Sequence, residues 1–147
     1  QNGPHMALGK HNVRAKVLSE QIARALGNAL VAPVMAYVPE GSVQPPTGHM
    51  RYPGTITVPP DVYRKVLESA ARSLRLAGFR DVVVLGEHGD YQKDNATVAR
   101  ELNREWAAAP VRVHTMSQIR LSSAAGIWCT SNEPLRERNG GVGVVTT

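Results

Sequence analysis

Residues 81–86 read DVVVLG, and this short stretch limits the fold more than any other part of the chain. Four consecutive apolar residues, three of them valine, leave no polar side to turn toward water. A half-solvated strand would alternate apolar with polar. A continuous apolar run of this length fits a strand covered on both faces, the usual state of a central strand in a parallel sheet. Helical patterns flank it. Val62, Val66, Leu67, Ala70 and Leu74 predict a helix over about 61–77, stopped by Gly78. Val98, Ala99, Leu102 and Trp106 predict another over about 96–108, followed by a strand at 111–116, VRVHTM. Strands alternating with helices imply right-handed βαβ crossovers.

The N-terminal third extends the pattern. Asn12 is positioned to cap a helix carrying Val13, Val17, Leu18, Ile22, Ala25 and Leu26, with Gly27 as its stop. VAPVMAYV, residues 31–38, then reads as a buried strand, and a long Pro- and Gly-rich loop follows. A loop of that length in a small domain is usually functional. The expected class is α/β: a three-layer α/β/α sandwich with a mostly parallel sheet. After Met116 the pattern weakens, and SQIRLSSAAGIWCTSNEPLRERNGGVGVVTT predicts no more than one short helix or strand. Outer elements this weak suggest missing pieces, or a partner chain that covers the sheet.

At 147 residues the chain fits one domain with a real core. The net charge of +5 raises the question of nucleic acid. The basic residues are dispersed, however, and Arg100 and Arg104 stand beside Glu101 and Glu105. Aromatics for base stacking make up only 5%, so no nucleic-acid partner is expected. No apolar run approaches the roughly 20 residues that span a bilayer, so no membrane partner is expected either. No signal peptide is visible, but the chain lacks an initiator Met and a lost leader stays open. Cys129 is the only cysteine, which excludes an internal disulfide and leaves the compartment open.

Ligands in open α/β sheets bind beyond the carboxyl ends of the strands. That rule points to GEHGDYQKDN, residues 86–95, where Glu87, His88 and Asp90 follow the best strand. His88 and Asp90 could present nitrogen and oxygen donors to zinc or manganese, and Asp90 or Glu87 could act as a general base on water. They read equally as a loop histidine bonded to its neighbour. The opening segment QNGPHMALGKHN puts His5 and His11 in a strand-to-helix loop on the same edge, as surface residues or as further donors. In TGHMRYPGTIT, His49 and Tyr52 could line a substrate pocket or simply pack a Pro-rich loop. His114, within a strand, reads as a core or interface residue. Trp128 could flank a pocket, whereas Cys129, with no histidine near it in sequence, is a poor nucleophile.

Taken in order, QNGPHMALGKHN, YPGTIT (52–57), AGFRDVVVLG (77–86) and EHGDYQKDN (87–95) resemble the creatininase (creatinine amidohydrolase) family. The resemblance runs over roughly residues 1–116. It implies one creatininase-like domain over 1–147, incomplete at both ends, in a chain that assembles into homo-oligomers. It also implies hydrolysis of a C–N bond in a small-molecule amide or cyclic amide, with one or two divalent metals, Zn or Mn. His11, His88 and Asp90 would be the metal donors, with His5 beside them. The sequence departs from the family pattern at several points. Asn2 stands where the family has a His ligand, His11 stands where it has a bridging Asp, and the family's first Glu would precede Gln1. AAGIWCTS at 124–131 resembles a later family segment, with Ala124 in place of a catalytic His and Cys129 in place of an acid. Two readings follow: a divergent metal-dependent amidohydrolase, or a degraded member kept as a binding or assembly scaffold.

Overall fold

A computed structural model describes residues 5–86, 89–116, 119–122, 126–129 and 141–146. The DVVVL run is strand β2 (Asp81–Leu85), buried along its whole length. Its elements in chain order are α1 (Lys10–Leu26), β1 (Ala29–Val31), α2 (Pro60–Leu76), β2, α3 (Gln92–Glu105), β3 (Arg112–Met116), β4 (Ile119–Ser122), β5 (Gly126–Cys129) and β6 (Val142–Thr146). Four strands form one parallel sheet in the order β1-β6-β2-β3, and β4 and β5 form a separate antiparallel pair.

One face of β2 packs with α2 and α3. Val82, Val84, Val113 and Val145 meet Tyr63, Leu67, Leu102 and Trp106 there. The other face packs with α1, where Val83, Leu85, Met116 and Val144 meet Ile22. The result is the expected three-layer α/β/α arrangement. Among the described residues, no helix is long and apolar enough to cross a membrane.

The sheet differs from expectation at two strands. β6 comes from the C-terminal stretch with the weakest pattern, yet it occupies a central position between β1 and β2. Val144, Val145 and Thr146 are fully buried. Gly143 passes under α2, where an added Cβ would stand 2.8 Å from Leu74 Cδ1. The second difference is at residues 31–38, which do not form the buried strand that the pattern predicts. β1 ends at Val31 on the sheet edge and is only partly buried. Pro33 has no N–H to continue the ladder. The chain nevertheless keeps to β6, with Ala32 N–H donating to Val144 O (2.7 Å) and Met35 N–H to Thr146 O (2.9 Å).

Two of the helices, α1 and α2, are also rotated from their expected faces. α1 begins at Lys10 behind Gly9, whose φ of 76° lies in the left-handed region, so Asn12 is inside the first turn rather than the cap. Ala15, Leu18, Ser19 and Ile22 are buried, while Val13 and Val17 face out. Ser19 tolerates burial because its Oγ donates to Lys16 O at 2.9 Å. In α2, Pro60 in the first turn and Asp61 suit a helix start. Tyr63, Leu67 and Ala71 point inward at intervals of four, and Val62 and Val66 outward. α3 starts four residues earlier than expected and buries Val98, Ala99 and Leu102, with Trp106 just past its end.

Candidate active site

The carboxyl edge of the sheet is built around the end of β2. Gly86 has no room for a side chain, because an added Cβ would stand 2.6 Å from both Asn95 Nδ2 and Gln92 Nε2. Gln92 Nε2 donates to Gly86 O at 3.0 Å, and Tyr63 Oη donates to the buried Asn95 Oδ1 at 2.5 Å. The first turn of α3 is thereby clamped over the strand end. Tyr91 is buried against Tyr63, with ring centroids 5.6 Å apart, and Asp90 in the preceding turn is left on the surface.

Residues 39–59 bring the other half of the site. Glu40 and His49 face each other with Glu40 Oε2 2.6 Å from His49 Nδ1, and both side chains are largely buried. Asp90 Oδ2 lies 4.0 Å from the same nitrogen. The backbone repeats the pairing, since His49 N–H donates to Glu40 O at 3.0 Å. Thr57 Oγ accepts from Glu40 N–H at 2.9 Å and donates to Gly41 O at 3.2 Å, which pins the base of the loop. Two glycines let its arms close. Gly41 (φ 129°) would drive a Cβ into Thr47 O, and Gly48 (φ 54°) would place one 2.7 Å from Glu40 O. The YPGT turn then docks on the opening segment: at Gly54 (φ 84°) an added Cβ would stand 2.8 Å from Leu8 Cδ1.

Two clefts flank this constellation. One, of about 310 Å³, is lined by Leu8, His11, Met35, Glu40 and Tyr91 among others, so it joins an apolar floor to an imidazole and a carboxylate. The other, of about 590 Å³, has Glu40, Asp90 and Asp94 on its wall, with Val43 and Pro59. Asp94 is paired with Arg64 at 3.2 Å. Glu40 lines both clefts.

The structure therefore brings Asp90 and His49 together and puts His11 on a cleft shared with Glu40. Tyr52 is half-buried in the turn, its N–H donating to His49 O at 3.0 Å. His5 is exposed at the start of the described chain. Glu87 and His88 lie outside the described residues, as does the side chain of Trp128 in β5. His114 belongs to the sheet, with Nε2 2.8 Å from Asp81 Oδ1. Glu40 is the residue that sequence reasoning missed. Its only signal is a carboxylate beside Gly41 in the loop that carries His49.

An α/β sandwich with ionisable side chains gathered beyond the carboxyl ends of parallel strands has the layout in which open-sheet folds bind small molecules. The family profile of creatininase, described as creatinine amidohydrolase, matches residues 1–140, and the chain belongs to that family. No curated protein and no solved structure gives a match.

Members of this family are generally metal-dependent. Among the described residues, no three His, Cys, Asp or Glu side chains converge so as to hold a metal ion. His11, Glu40 and Asp90 have suitable donor chemistry but do not converge on one point. The described residues do not by themselves complete a metal site.

Proposed function

We propose that this chain is a creatininase-type amidohydrolase that cleaves a C–N bond in a small amide or cyclic amide. The observation that carries the reading is the group Glu40–His49–Asp90 beside two clefts, at the edge of the sheet where such folds bind ligands. The smaller cleft suits a compact ring: its apolar floor would exclude water from the reacting carbonyl, and His11 and Glu40 would orient its polar groups. Asp90, with Glu87 near it in sequence, is the proposed general base, and His49, Tyr52 and Trp128 the proposed substrate-lining residues. The proposed donors for a Zn or Mn ion are His11, His88 and Asp90, with His5 beside them. A bound divalent cation supplies Lewis-acid polarisation and an activated water. Assembly into a homo-oligomer belongs to the same reading.

The test is hydrolysis of creatinine and a panel of related cyclic amides by protein purified without chelator, with elemental analysis alongside. Turnover with at least one equivalent of Zn or Mn, lowered in His88→Ala, is the expected result. A folded protein with less than about a tenth of an equivalent of metal, and no turnover at any Zn or Mn loading, would overturn it. That outcome would favour the scaffold reading, which draws on a specific observation: Asn2 and His11 replace two ligands of the family pattern.

A further inference from the structure

The smaller cleft has an apolar rim that is left in water. Leu8, Tyr37 and Ile56 are each 60% or more exposed, come from three separate stretches of chain, and all line this cleft. The rim is formed in advance of any ligand, because the turn at Gly54, two residues before Ile56, is packed against Leu8 Cδ1. Large apolar groups that surround a cleft and stay in water mark a surface that an apolar ligand group covers. Deeper in the cleft the lining includes His11 and Glu40, so one end is polar and the other apolar. Volume points the same way. A cavity of about 150 Å³ accommodates one six-membered apolar ring. At about 310 Å³ the cleft has room for a compact amide ring and for a second group of similar size. Creatinine, whose ring carries a single methyl group, would leave the rim wet.

We infer that the cleft selects a cyclic amide bearing an aromatic or branched aliphatic substituent, and that Leu8, Tyr37 and Ile56 are the residues that determine this preference. The amide ring lies toward His11 and Glu40, and the substituent lies on the rim. Burial of its apolar surface supplies the discrimination. That driving force has no direction, so the rim accepts an aromatic or a branched group and rejects a polar one. Tyr37 adds an aromatic face for a substituent ring to pack on. Opening of the amide ring rests on the amidohydrolase reading above. The apolar preference does not, because it is a property of binding alone.

5-Methylhydantoin and 5-benzylhydantoin share one amide ring and differ in the apolar group alone. Isothermal titration calorimetry, with and without added Zn or Mn, should give a Kd about 10- to 100-fold lower for the benzyl compound. Ile56→Ser and Tyr37→Ser stand at exposed positions where a polar side chain leaves the fold intact. Each should remove most of that ratio by weakening the benzyl compound only. Val43→Ser, on the wall of the larger cleft, should leave the ratio unchanged. Equal Kd values, binding of neither compound, or a ratio lost in Val43→Ser and kept in the rim variants would overturn the inference. Sedimentation velocity tests a second copy of the chain as the occupant. If wild type self-associates, and the rim variants dissociate it with the ratio intact, the rim is an interface between copies and the inference fails. Where both hydantoins are turned over, kcat/KM should follow the same ratio. Selective binding of the benzyl compound without turnover would refute the enzyme reading and leave the ligand class standing. Turnover with equal kcat/KM would refute the ligand class and leave the enzyme reading standing.

Discussion

Among the described residues, the Asp81–His114 and Glu40–His49 pairs are nearly alike in chemistry and unlike in position. Asp81 and His114 meet at 2.8 Å on adjacent strands, with Asp81 1% exposed. Glu40 and His49 meet at 2.6 Å within one loop, beside two clefts. The first pair is set by sheet register. Asp81 lies opposite Arg112 and Val83 opposite His114, so the two side chains reach diagonally across the same face of β2 and β3. The second is set by turns and glycines, at the carboxyl edge where loops are free to vary without disturbing the sheet. The comparison separates a pair that serves the fold from one that serves a site. The same two groups hold strands together in one place and orient a ring in the other.

The sharpest way to break this contrast is Asp81→Ala. It leaves a largely buried His114 without its hydrogen-bond partner and should cost about 2–3 kcal/mol of stability in urea unfolding. Ring orientation at His49 should not change. A loss below about 1 kcal/mol would mean that the strand pair is not structural. Next in size is Thr57→Val, which removes the acceptor for Glu40 N–H and the donor to Gly41 O. It should cost about 1–3 kcal/mol. Unlike Asp81→Ala, it should also shift the imidazole NMR signal of His49, which is assigned by its loss in His49→Gln. If Thr57→Val lowered stability and left that signal unchanged, the loop would be shown to hold His49 without its base being pinned.

The two pairs also show how far the sequence can be read. His114 was legible because a histidine inside an apolar strand run must find a buried partner, and the register supplies one in Asp81. β2 followed from its continuous apolar run, and the inward residues of α3 and the strand after them from their spacing. β6 did not. GVGVV has small residues where side chains usually announce a strand, because Gly143 lies beneath Leu74. The outward turn of Val13, Val17, Val62 and Val66 was equally hidden. Their spacing fits a helix, but which apolar stripe faces the sheet depends on Tyr63 and Ala71 packing inward. At the candidate site, the carboxyl-edge rule pointed to Asp90 and the long loop to His49. Glu40 required the fold: no spacing rule pairs residues 40 and 49, and only closure over Gly41 and Gly48 puts them in contact.

An ion pair without a histidine marks the weak end of the comparison. Arg72 on α2 and Glu105 on α3 form a two-pronged contact, with Nη1 2.7 Å from Oε1 and Nη2 2.5 Å from Oε2. Arg75 stacks over Trp106 beside them, 4.7 Å from the ring centroid. The hydrogen bond from Arg72, aided by one from the Trp106 indole, lowers the Glu105 carboxyl from its ordinary 4.5 to about 2. A carboxyl depressed in the folded state contributes stability that is fully present above about pH 4.5. That contribution fades as the pH falls toward 2. Glu105 is solvent-exposed, so salt screens the pair and the effect should be the smallest of the series. Urea midpoints measured from pH 5 down to about 2 should therefore fall less steeply in Glu105→Gln than in wild type, and added NaCl should narrow the gap. Parallel acid limbs in the two proteins would mean that the Arg72–Glu105 pair contributes nothing to the contact between α2 and α3.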